Sequence, residues 1–148
     1  MRRGNAEVAA IYRGNQSVQA VYRGDTLVYQ SWTPYDWSTT FTGVALQRTA
    51  WTLVTSHTVT ADPRQAQIEF TADWIYTPVG DSSARLRVLV NGTTVAESHG
   101  ATFQFPAPIS VDVNLSAGDV VRFEARGLDN SNANYRRVDG SASITSIT

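Results

Sequence analysis

The sequence has no cysteine and no lysine; all 12 of its basic residues are arginine. Without a thiol there is no disulfide, no thiolate nucleophile and no thiolate metal site. Histidine occurs twice and methionine once. An excess of one charge is also missing. The 12 arginines face 13 carboxylates, which leaves a net charge of -1. That balance argues against a nucleic-acid partner, which needs clustered positive charge. No apolar run approaches the ~18 residues of a membrane span, so membrane insertion is not expected. No apolar stretch follows Met1-Arg2-Arg3-Gly4-Asn5. No signal peptide is therefore expected, and synthesis in the cytoplasm is. A clear apolar period near 3.6 is lacking along the whole chain, which removes amphipathic helices.

What is present favours sheets. Val, Ile and Thr contribute 39 residues against 7 Leu. β-branched side chains suit a pleated surface and suit helices poorly. The 148 residues allow one domain, or a smaller domain with an appendage. A globule of this size buries about 70% of its unfolded surface, enough for a real core.

A repeat of period ten opens the chain. Gly4 to Arg13 is followed by Gly14 to Arg23 and by a truncated copy, Gly24 to Tyr29. Val8, Val18 and Val28 align, as do Ile11 with Val21, Tyr12 with Tyr22, and Gly14 with Gly24. Each copy predicts a strand of about six residues and a Gly-Asn or Gly-Asp turn, because both residues tolerate positive φ. A sheet this small has one layer and nothing to cover its apolar face. It must pack on the following domain, on copies of itself or on another protein. Arg13 and Arg23 recur at the same repeat position. They are either solvated turn charges or a row of anchors for acidic groups, since arginine pairs bidentately with carboxylates.

Residues 31–43 hold Trp32, Tyr35, Trp37 and Phe41 among Ser, Thr and Asp. This segment predicts a linker ordered by packing its rings. From residue 44 to 148 the pattern is a series of about eight strands. Ala66, Ile68, Phe70, Ala72, Trp74 and Tyr76 share one face. Leu86, Val88 and Val90 precede Asn91-Gly92, a strong hairpin signal. Ala101, Phe103 and Phe105 form a short inward set. Ile109, Val111, Val113 and Leu115 lead to a turn at Ser116–Asp119, then Val121, Phe123 and Ala125 face inward. A last strand is expected near Val138–Ile147. The expected fold is all-β: a repeat anchor at 1–30, an aromatic linker at 31–43, and an antiparallel β-sandwich at 44–148 with jelly-roll connectivity.

The candidate chemistry is sparse. His57 and His99 have no nucleophile motif beside them, and a surface or structural role is the expectation. Glu69, Asp73 and Glu124 alternate outward as a solvated face does. The run Asp129-Asn130-Ser131-Asn132-Ala133-Asn134 is rich in oxygen donors, but the glycine and distal Glu of a calcium loop are missing. It reads as a plain loop or, with Arg136 and Arg137, as a sugar contact through Asp129, Asn132 and Asn134. Trp32, Tyr35 and Trp37 pack internally, line a protein interface, or stack on a glycan. No cofactor, no metal and no catalytic residue is expected.

The repeated Val-x-x-Ile/Val-Tyr-Arg-Gly-Asn/Asp, closing on Val28-Tyr29 with Trp32 just after, resembles the N-terminal segments of small virion proteins of tailed phages infecting actinobacteria. These are capsid decoration, head-fibre and minor tail proteins. The resemblance covers about 30 residues. The segment Leu115 to Phe123 is similar to a strand–turn–strand of jelly-roll domains, including trimeric ones. The resemblance implies a non-enzymatic virion protein with other virion proteins as partners; a homotrimer is the expected assembly, because three copies of a one-faced repeat bury their apolar sides together around an axis. Val8, Ile11, Tyr12, Arg13, Val18, Val21, Tyr22, Arg23, Val28 and Tyr29 would dock it. The competing expectation is an adhesion module that binds a host-surface glycan through Tyr35, Trp37 and the 129–134 loop.

Overall fold

The structure is a computed structural model that describes residues 12–13, 16–17, 20–23, 26–30, 34–48, 50–61, 63–75, 83–100, 105–128 and 137–147. The chain divides into two units, Met1–Thr33 and Pro34–Thr148.

The described residues of the first unit form two separate hairpins. Strand β1 (Tyr12–Arg13) pairs antiparallel with β2 (Gln16–Ser17), and β3 (Ala20–Arg23) pairs antiparallel with β4 (Thr26–Gln30). In both, two residues separate the strands, and these are the Gly-Asn and Gly-Asp pairs of the repeat. The strands have two to five residues, shorter than the six expected. Each hairpin spans the boundary between two copies of the repeat.

The described residues of the second unit form eight strands. They are β5 (Asp36–Ala45), β6 (Thr52–Thr58), β7 (Arg64–Trp74), β8 (Ser83–Val90), β9 (Thr93–His99), β10 (Ile109–Leu115), β11 (Val120–Leu128) and β12 (Arg137–Ser146). Two four-stranded antiparallel sheets result, in the orders β10-β7-β12-β5 and β6-β11-β8-β9. Their inner faces pack together as a β-sandwich. Four ladders are nested: β8 with β9, β7 with β10, β6 with β11, and β5 with β12. Two more, β7 with β12 and β8 with β11, join the nested ribbon into sheets.

Alternation decides the core. Ile68, Phe70, Leu86, Val88, Val121, Phe123, Val138 and Ile144 are fully buried. Each sits two residues from its next inward neighbour, as the strand period of two requires. Phe70 meets Phe123 edge-on with centroids 5.4 Å apart, which ties one sheet to the other. Asn91 (φ 50°) and Gly92 (φ 83°) form the expected turn between β8 and β9.

One boundary differs from the sequence expectation. The segment 31–43 is not a linker up to the sandwich, because Asp36–Ala45 is the edge strand β5. Trp37, Thr39, Phe41 and Gly43 are half-buried while their neighbours Asp36, Ser38, Thr40 and Thr42 are exposed. The rings noted as unusual in a linker are therefore the inward set of a strand. Trp74 faces inward as expected and packs on Phe105 at 5.0 Å. Tyr76, Ala101 and Phe103 lie outside the described residues.

Candidate functional site

The outer face of the sheet β6-β11-β8-β9 gathers four of the described arginines. On β11, Val121, Phe123 and Ala125 point to the core, so Arg122, Glu124 and Arg126 point away. On β8, Leu86 and Val88 point inward, and Arg85 and Arg87 point away. The register sets Glu124 opposite Arg87 and Arg126 opposite Arg85.

Glu124 is buried, at 5% exposure. It is not part of a solvated face, as its alternation had suggested, because arginines cover it from two sides. Arg87 donates from Nε at 2.9 Å and from Nη2 at 2.6 Å to Oε2. The Nη2 of Arg122 lies 3.1 Å from Oε1. Such charge-assisted bonds hold a carboxylate that would otherwise be costly to bury.

Trp51, half-buried just before β6, lies over the same patch. The guanidinium carbon of Arg87 is 4.2 Å from its ring centroid and that of Arg126 is 5.2 Å away. Both distances suit a cation–π contact. Arg85 reaches Glu97 of β9 at 3.8 Å, and His99 Nε2 is 2.9 Å from the same Glu97 oxygen. The patch thus has four arginines, two carboxylates and a tryptophan, and can offer guanidinium groups to an acidic surface.

A second cluster lies around His57. The Tyr35 hydroxyl hydrogen-bonds His57 Nε2. Trp37 stacks on the His57 ring at 4.4 Å and 18°, and on Phe123 at 5.8 Å. Burial lowers the His57 pKa below its ordinary 6.5, which favours the neutral ring. The Tyr35 backbone is fixed in turn: its N–H donates to Ser146 Oγ at 2.8 Å and its carbonyl accepts from Ser146 N–H at 2.9 Å.

This cluster corrects the glycan expectation for the two rings Tyr35 and Trp37. Tyr35 is 8% exposed and belongs to the core, and Trp37 is half-buried against His57 and Phe123. Neither ring is free to stack on a sugar. They turn inward because β5 begins at Asp36 and alternation carries Trp37 to the inner face.

A third cluster joins two turns. Asp119 Oδ1 accepts from Asn91 Nδ2 at 2.8 Å, and Oδ2 accepts from Ser116 N–H at 2.8 Å. Asn91 Oδ1 accepts from Val120 N–H at 2.9 Å. The Ser116 N–H, then the Asn91 side chain, hold the Asp119 carboxyl below its ordinary range. The role is structural: it locks the β8–β9 turn to the β10–β11 turn.

Of the residues expected to dock, Tyr12 and Arg13 lie in β1, Val21, Tyr22 and Arg23 in β3, and Val28 and Tyr29 in β4. Arg23 is exposed. Val8, Ile11 and Val18 fall outside the described residues, as do Asp129, Asn132 and Asn134. Sequence reasoning missed Trp51 and Arg126. The usable signal was the pair of outward arginines on each of two strands, Arg85 with Arg87 and Arg122 with Arg126, but only the ladder shows that these strands are neighbours. Among the described residues, no group of three or more His, Asp or Glu is placed to hold a metal ion.

No family model matches the sequence, and no curated protein matches it. Solved structures similar to the chain include dimeric latent PorU from Porphyromonas gingivalis, at 8% identity and a TM-score of 0.48 over 76% of the chain. The VP2 subviral particle of infectious bursal disease virus is similar at 13% identity and 0.49 over 96%. A family 35 carbohydrate-binding module from Clostridium thermocellum is similar at 12% identity and 0.38 over 76%. The chain spans 12% of the PorU chain, 38% of the VP2 chain and 97% of the carbohydrate-binding module.

Proposed function

We propose that the chain is a non-enzymatic structural protein of a tailed-phage particle, a capsid decoration or minor tail protein. The repeats at 1–30 are its anchor and the sandwich is the displayed part. The observation that carries this reading is the construction of the first unit. Its described strands form two separate two-stranded sheets. A lone hairpin is marginal in water, and each leaves edges with unpaired backbone groups. Such edges are satisfied when a partner adds strands to them. The partner is another virion protein or a sister subunit, and a homotrimer buries the one-faced repeats around an axis.

The sandwich fits this role as a jelly roll. In that connectivity a ribbon of eight strands pairs first with eighth, second with seventh, third with sixth and fourth with fifth, then rolls into two sheets. Support comes from the nested ladders β5·β12, β6·β11, β7·β10 and β8·β9.

Particles lacking the protein supply the test. The full chain should bind them, and V21P/V28P, which removes one backbone N–H from each strand of the second hairpin, should not. Light scattering should give about three times the 16.2 kDa chain mass. Particle binding that survives the proline substitutions overturns the anchor.

A further inference from the structure

The two outer faces of the sandwich carry opposite charge. The face of β6-β11-β8-β9 has Arg85, Arg87, Arg122 and Arg126 against Glu97 and Glu124. The sheet β10-β7-β12-β5 has Asp36, Glu69, Asp73, Asp112 and Asp139, all exposed, with Arg64 and Arg137 at strand ends. The sequence as a whole, at -1, hides this separation.

Each face also holds a like-charge pair in direct register. Arg126 stands opposite Arg85 on neighbouring strands, and Asp139 stands opposite Asp73. Like charges directly opposite are destabilising in a sheet. The Nε atoms of Arg85 and Arg126 are buried without a hydrogen-bond partner among the described residues. Arg126 meets Trp51 and no carboxylate there. The complement each face lacks is on the other face of the same molecule.

We infer that the sandwich docks on a second copy of itself, with the Arg85/Arg126 pair of one copy against the Asp73/Asp139 pair of the next. Two arginine faces repel, and so do two acidic faces, so the contact is head-to-tail and excludes a two-fold dimer through either face. Repeated, it makes a ring where the rotation closes and a row where it does not. The area is modest. Four strands about 4.8 Å apart and about 25 Å long give a total near 1,000 Å², at the low end of specific interfaces. The contact is therefore weak by itself and salt-sensitive, suited to copies already held side by side. That last point rests on the anchor reading; the charge pairing rests on the sandwich alone.

Full-length protein in sedimentation velocity at 50 and 500 mM salt tests this. The wild type should self-associate, and the salt should weaken it about tenfold or more. The pair swaps R85E/R126E and D73R/D139R should each weaken association about tenfold at low salt, because each makes both faces alike. An equimolar mixture of the two swaps should restore it. R85Q/R126Q, with folding checked by near-ultraviolet circular dichroism, serves if a swap does not fold. A wild type that stays monomeric at low salt overturns the inference. Swaps that leave the oligomer intact also overturn it, and leave the repeats as the sole assembly element. If only the arginine swap has an effect, the arginine face serves a different acidic partner and the copy-to-copy contact is wrong. Particle binding through the repeats is read separately and stands or falls on the hairpin substitutions.

Discussion

Replacing Gly140 by alanine strikes the tightest place in the sandwich. Gly140 lies on β12, between Phe41 on β5 and Ala72 on β7. A methyl group there would collide with the Thr71 carbonyl oxygen, and would stand 2.6 Å from Phe41 Cζ and 2.8 Å from Ala72 Cα. Carbon atoms prefer about 3.5–4.0 Å. A ring end can swing away, but Thr71 and Ala72 offer backbone atoms of β7, a strand paired on both sides. Overpacking costs about 1–3 kcal/mol, and immovable neighbours put this case at the upper end. The chain-entropy gain of replacing glycine offsets only about 0.4–1 kcal/mol. The net loss is about 2 kcal/mol, a fall of about 8 °C in Tm for a chain of this size. Thermal unfolding followed by circular dichroism measures it. An unchanged or raised Tm refutes the packing argument. Full rescue in F41L/G140A would show that the ring, and not the β7 backbone, sets the limit.

Three further outcomes follow from the clusters. His57 is held below its ordinary pKa of 6.5, so its contribution is complete above that pH and is lost as pH falls below it. Urea midpoints between pH 7.5 and 5 should fall less steeply in His57→Gln; equal slopes would remove His57 from the account. Asp119 is likewise held low, so Asp119→Ala should cost more stability at pH 7 than near pH 3, where the wild-type carboxyl is increasingly protonated. A cost independent of pH would contradict this. Trp51→Ala removes two cation–π contacts, each worth about 0.5–1 kcal/mol, and should lower Tm by several degrees. A double-mutant cycle of Trp51 with Arg126 that shows no coupling would rule the contact out as a source of stability.

Much of the sandwich was legible because its signals are local. Alternation marked the inward faces of β7, β8, β10 and β11, and Asn91-Gly92 marked its turn. β5 was missed because its inward positions include Thr39 and Gly43, which blurs the apolar period. The arginine patch was half legible. Outward direction follows from parity along one strand, but the meeting of Arg87 with Glu124 and of Trp51 with both depends on long-range pairing. The burial of Glu124 was misread for the same reason: a carboxylate on an outer face is solvated unless a neighbouring strand covers it. The inward turn of Tyr35 and Trp37 needed the ladder between the first and last strands of the sandwich.

That outermost ladder has a practical consequence. Asp36 pairs with Thr145, and Ser146 N–H donates to the Tyr35 carbonyl, so the chain enters and leaves the sandwich at one spot. A domain whose entry and exit adjoin can be spliced into a surface loop of a host protein without stretching either. The sandwich from Pro34 onward is thus a portable module: its geometry lets it be grafted at a single point, or carry a passenger at its far strand end, with every ladder left intact.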